Sequence, residues 1–96
     1  DDEAESLYRQ AWNLEQGQGV DQDLAAARKL YGQAADKGHV VSMIRLGLML
    51  QNARGGLRDA RKAAEWYRKA ALRGDRQGMH NLAWMLAEDR GIEKDE

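Results

Sequence analysis

The sequence predicts an all-α fold: an α-solenoid of helix hairpins, about two and a half 36-residue repeats and five helices long. Three observations predict it. The window WYRKAALRGD at 66–75 repeats LYGQAADKGH at 30–39 in its tyrosine, both alanines and its glycine, each displaced by 36 positions. The register then extends without a gap: Ala27 falls on Ala63, Leu14 on Leu50 and Leu86, Gly19 on Gly55 and Gly91, Asp23 on Asp59 and Asp95. Within each unit the apolar residues recur at helical spacing and never alternate strictly with polar ones, which argues against strands. A fixed period of this size marks stacked supersecondary units.

The elements follow in order. A helix over 3–16 buries Leu7, Ala11 and Leu14, and Gly17-Gln18-Gly19 turns the chain. A helix over 22–37 has Asp23 at its start, where a carboxylate meets free amides, and Leu24, Ala27, Leu30, Tyr31, Ala34 and Ala35 on its inner side. Lys37 lies in its last turn, and Gly38 follows at the left-handed position. The second unit repeats the design: a helix over 40–53 with Met43, Leu46, Gly47 and Leu50, a Gly55-Gly56 turn, then a helix over 58–73 opened by Asp59. That helix carries Ala63, Trp66, Tyr67, Ala70 and Ala71, with Arg73 and Gly74 at its end. The small residue at 11, 47 and 83 predicts a tight helix crossing. A last helix over 76–89 opens a third, partial unit. The units are drawn at 3–38, 39–74 and 75–96 of a single domain, 1–96. In the partial unit Leu82, Met85, Leu86 and Ile92 are expected to lack the cover of a second helix, which predicts further repeats or self-association through this end.

Composition narrows the function. Fifteen Lys and Arg against sixteen Asp and Glu leave a net charge of −1, without the concentrated positive field of a nucleic-acid or anionic-membrane binder. The apolar runs are too short to span a bilayer, and no signal-peptide pattern opens the chain. It starts at Asp1, which predicts a fragment or a processed product. Cysteine is absent, so neither disulfides nor thiolate metal sites are available.

The second unit reads Leu46-Gly47, Leu50, Gly55, Asp59, Lys62-Ala63, Trp66-Tyr67, Lys69-Ala70-Ala71 and Gly74. That spacing resembles the Sel-one-like repeat (SLR), a branch of the tetratricopeptide-repeat (TPR) superfamily. The first unit departs from the pattern at Gln10, Ala11 and Leu30, and the usual tyrosine is leucine at 14, 50 and 86. The resemblance covers nearly the whole chain. It implies a right-handed superhelix of antiparallel helix pairs, with the first helices lining the concave side. It also implies adaptor or scaffold work, often in bacterial envelope or signalling proteins; this leans toward the periplasm, with the cytoplasm as the alternative.

Signals of catalysis are poor. Ser6 and Ser42 sit in no nucleophile-elbow pattern, and the two histidines have no metal-ligand spacing. His39, replaced by Asp75 in the next unit, reads as a solvated loop residue. Gly17-x-Gly19 lacks the strand and third glycine of a dinucleotide fingerprint. No enzyme activity, cofactor or metal is expected. The informative residues flank the core stripe of the first helices. Tyr8 and Trp12, Ile44 and Leu48, and His80 and Trp84 occupy the same two positions of successive units. These positions lie roughly 100–150° around the helix from the core stripe. Glu15 and Gln16, Gln51 and Asn52, and Glu88 add a polar shoulder. In the resembled architecture this set faces the groove, so Tyr8, Trp12, Ile44, Leu48, Gln51, Asn52, His80 and Trp84 are the candidate contacts for a peptide or protein segment. The competing reading packs these residues between neighbouring first helices and makes the chain a spacer or dimerisation unit.

Overall fold

The computed structural model describes residues 2–88. They form α1 (Asp2–Gln16), α2 (Leu24–Asp36), α3 (Val40–Gln51), α4 (Ala60–Leu72) and α5 (Arg76–Glu88). Each helix packs on the next in sequence, giving two complete hairpins and the first helix of a third. The stack measures 41 × 26 × 16 Å, the elongated shape of a one-dimensional repeat rather than a sphere. The matches at Gly91, Ile92 and Asp95, and the last position of the helix expected over 76–89, lie outside the described residues.

The expected helix ends hold to within two residues, and the differences are caps. Asp23 and Asp59 are extended N-cap residues whose Oδ1 atoms accept from the amides of Ala26 (3.0 Å) and Lys62 (2.9 Å). Lys37 and Arg73 are C-caps, so α2 and α4 stop one residue earlier than expected. Beyond them Gly38 and Gly74 have φ of +91° and +85°. The amides of Gly38 and His39 bond the carbonyls of Ala35 and Ala34, and those of Gly74 and Asp75 bond Ala71 and Ala70. This is one Schellman motif, made twice.

The longer turns repeat bond for bond as well. The Gln18 amide donates to Asn13 O and the Arg54 amide to Met49 O; Asp23 donates to Leu14 O and Asp59 to Leu50 O. Gly17 (φ +71°) takes the left-handed position, and in the second unit that position falls to Ala53 (φ +57°).

The core runs along the inner sides of all five helices, from Ala11, Ala27, Tyr31 and Ala35 through Met43, Leu46, Met49 and Leu50 to Ala63, Tyr67, Ala70 and Met85. Two tyrosines organise it. Tyr67 is fully buried, and its ring lies so close to Gly47 that a methyl group there would come within 2.5 Å of Cε1. Its hydroxyl donates to Gln51 Oε1 at 2.7 Å. Tyr31, also fully buried, donates to Glu15 Oε1 at 2.6 Å, and Arg54 Nη1 donates to Glu15 Oε2 at 2.7 Å. Burial pushes the Tyr67 phenol up to about 12. Burial first, and then the Glu15 carboxylate, raise Tyr31 further. Glu15, expected on the solvated shoulder, is therefore a buried carboxylate held by two donors.

Three outcomes test these features by urea unfolding. Glu15→Ala strands a buried hydroxyl and should destabilise by roughly 2–3 kcal/mol. Glu15→Gln copies the second unit and should lose less than about 1 kcal/mol. Ala53→Gly relieves a left-handed alanine and should stabilise by about 0.5–1 kcal/mol.

Candidate functional site

The candidate residues lie along one side of α1, α3 and α5, and the fold treats them differently. On α1, Tyr8 and Trp12 are half-buried and, with Arg9 and Asn13, line a shallow depression of about 290 Å³. The Tyr8 ring stands 5.9 Å from Tyr31 and 4.9 Å from His39, so its inner edge is fixed by packing. On α3, Ile44 and Leu48 line a second depression of about 210 Å³ with Val41, Arg45, Asp75 and Gln77. Positions 8, 9 and 12 of the first depression and 44, 45 and 48 of the second are equivalent under the 36-residue shift. The sequence period thus reappears as a period of surface shape.

Within this set Ile44 is 5% exposed and belongs to the core, so it floors its depression rather than standing out as an anchor. Leu48 is half-buried and packs on the core from the rim. Gln51 is bound on two sides: its side chain accepts from Tyr67, and its carbonyl accepts from Arg58 Nε at 2.9 Å. Asn52 is exposed and forms the C-cap of α3. On α5, His80 is exposed and Trp84 is 52% exposed. Free aromatic surface is thus concentrated at Trp84, with Tyr8 and Trp12 contributing their outer edges.

Three further expectations need correcting. His39 is not a solvated loop residue. It is the N-cap of α3: Nδ1 accepts from the Ser42 amide (3.2 Å) and from the buried Ser42 hydroxyl (2.8 Å). Those two donors leave the ring proton on Nε2, which donates to Glu5 Oε1 at 3.2 Å and ties α3 to α1. That hydrogen bond holds the Glu5 carboxyl below the usual range. The signal for this role was Asp75, the equivalent residue, whose Oδ1 caps α5 by accepting from Gly78 N at 2.9 Å. Met85, expected to lack cover, is 4% exposed because it faces the core. Glu15 sits beneath the shoulder rather than on it, its role legible only as a polar residue placed 16 positions before each buried tyrosine.

No group of three or more His, Asp or Glu that could hold a metal ion occurs among the described residues. No described helix is long and apolar enough to cross a membrane.

Comparison with known proteins agrees with this geometry. A family model described as Sel1 repeat matches residues 4–39, 40–75 and 76–96, one residue later in phase than the units drawn from the sequence. No curated protein matches. Among solved structures, a Sel1 repeat protein from Oxalobacter formigenes is 29% identical with a TM-score of 0.81, over 83% of this chain and 60% of that one. A protective antigen present in uropathogenic Escherichia coli strains, displaying an SLR fold, is 32% identical with a TM-score of 0.87, over 93% and 19%. Helicobacter pylori cysteine rich protein B, 20% identical over 82% and 59% with a TM-score of 0.79, shares the fold. The chain spans less than two thirds of each.

The cap at His39 is testable by thermal or urea unfolding. His39→Ala removes the acceptor for Ser42 and should destabilise by about 1 kcal/mol, whereas His39→Asn keeps an acceptor and should recover most of that loss.

Proposed function

The chain belongs to the Sel1 repeat family, and on that premise we propose that it is a protein-interaction module that holds a peptide or protein segment against the side lined by α1, α3 and α5. Proteins of this family generally mediate protein–protein interactions and are typically non-catalytic helical scaffolds. The observation that carries the proposal here is the pair of equivalent depressions. Each joins an apolar or aromatic wall to an arginine, from Tyr8, Trp12 and Arg9 in one and Ile44, Leu48 and Arg45 in the other.

The physics of such a groove is ordinary. Trp12, Leu48 and Trp84 offer area whose desolvation favours binding, and the aromatic rings lose little rotamer freedom for the area they cover. Arg9, Arg45 and the exposed Asn52 supply donors for backbone carbonyls at the rim. A repeat spacing set by the fold selects a segment that places side chains at the same interval. Gln51 and Ile44 hold the wall in shape beneath these contacts.

The test begins with peptides selected from a random displayed library against the 96-residue chain. Trp12→Glu and Leu48→Glu should each weaken capture of the selected peptide at least about tenfold, while circular dichroism keeps its helical signal. Undiminished binding by both variants would overturn the reading and leave a structural spacer.

A further inference from the structure

The position held by Arg9 carries a side-chain donor in every unit, as Arg45 in the second and Asn81 in the third. What accepts from it differs. Arg9 is exposed and reaches Glu5, four residues earlier, at 3.4 Å. Arg45 and Asn81 are half-buried, and neither side chain has a hydrogen bond or ion pair with a described residue. Arg28 and Arg54, the other half-buried arginines among the described residues, are both held: Arg28 by the carbonyls of Arg54 and Leu57, Arg54 by the Glu15 carboxylate. Asn81 Nδ2 is the one buried side-chain nitrogen or oxygen among the described residues without a partner.

Donors left without acceptors cost free energy, and the fold leaves two at one repeat position. That position borders the groove. Arg45 lines the depression floored by Ile44, and Asn81 stands one helical turn beyond Gln77 on its α5 wall. Asp75 is the carboxylate on that depression, and its Oδ1 accepts from the Gly78 amide. A further helix beyond α5 is not what Arg45 lacks, because α3 already has α1 on one side and α5 on the other.

Resting on the interaction module above, we propose that the segment held in the groove is acidic. An Asp or Glu side chain of the partner takes the Arg45 fork with both carboxylate oxygens. A backbone carbonyl farther along the segment accepts from Asn81, whose half-buried amide brings Nδ2 to the open side by a half-turn. Neighbouring helices stand roughly 8–10 Å apart, so about three extended residues separate the two contacts. Its charge makes a carboxylate a stronger acceptor for Arg45 than the backbone carbonyl of a neutral segment. A single arginine beside Asp75 suits a monoanion rather than the dianion of a phosphate.

The experiment pans a displayed library of random peptides against the 96-residue chain and labels a selected peptide for anisotropy. Selected sequences should share an Asp or Glu at one fixed position. Changing that residue to its amide should weaken binding at least about tenfold. Arg45→Gln should weaken the acidic peptide as much and bind both peptides equally. Asn81→Leu removes an unpaired donor, so it should weaken binding several-fold while the urea midpoint holds or rises. Two results overturn the inference and leave the groove reading standing. One is binding sensitive to Trp12→Glu and Leu48→Glu but indifferent to the amide change; the other is a preference for the acid that Arg45→Gln retains. An Asn81→Leu variant that loses stability, or keeps full affinity, overturns the second contact. Binding untouched by Trp12→Glu and Leu48→Glu, or a library that yields no binder, overturns both readings.

Discussion

The fold depends on one contact made twice: a tyrosine ring buried between the two helices of a unit, its hydroxyl held by the side chain of the first helix. Gly47 shows how tight the contact is, for a single methyl group would collide with the Tyr67 ring. Close approach brings the alanines of the second helix against the first at the short end of helix spacing. The hydroxyl then decides the register. A buried phenol without a partner is costly, so the ring sits where Glu15 or Gln51 can accept from it. Sliding one helix past the other by a turn would break that bond and place a larger residue beneath the ring.

Because the contact recurs every 36 residues, the hairpins share one shape, and equal hairpins placed side by side make equivalent residues line up. The connections preserve this equality down to single hydrogen bonds, from the turn amides of Gln18 and Arg54 to the paired Schellman motifs. Differences between units are then informative. Arg54 reaches across to Glu15 and Arg28 donates to Leu57 O at 2.6 Å, so the turn of the second unit is clamped to the first. His39 ties α3 to α1 where Asp75 only caps α5. The repeats are thus coupled by specific polar bonds as well as by nearest-neighbour packing.

Fold and helix ends were legible because they are written locally, in a period, in glycines past α2 and α4, and in aspartates before them. Candidate positions were legible as a repeated pair, but their burial was not. Ile44 and Tyr8 are equivalent in sequence; Ile44 has a unit on either side and disappears into the core, whereas Tyr8 sits in an outer helix and keeps an edge free. Burial at a repeat position reflects how many neighbours flank it, which one unit's sequence does not encode. Glu15 was legible only through its spacing from Tyr31, for a different reason. Its partners lie 16 and 39 residues away, and a carboxylate one step from Leu14 looks solvated until both donors are in place.

The same reasoning explains why the two ends of the stack are chemically unlike. Ser42, Leu46 and Met49 on α3 are buried, and so are Gly78 and Met85 on α5, with Leu82 half-buried between them. These positions face the preceding second helix; a methyl group on Gly78 would stand 2.8 Å from Ala70 Cβ. On α1 the corresponding residues are Ser6, Gln10 and Asn13, polar and bordered by Asp2, Glu5 and Arg9. Covering that surface with an apolar helix would strand polar groups, so it is suited to water. The α5 face offers Met79, Ala83 and Leu86, and residues 77–87 contain no Asp, Glu, Lys or Arg. Burial therefore lowers the free energy on one side of the stack and raises it on the other. Head-to-tail stacking of copies would press the polar side onto the apolar one, which the same balance disfavours.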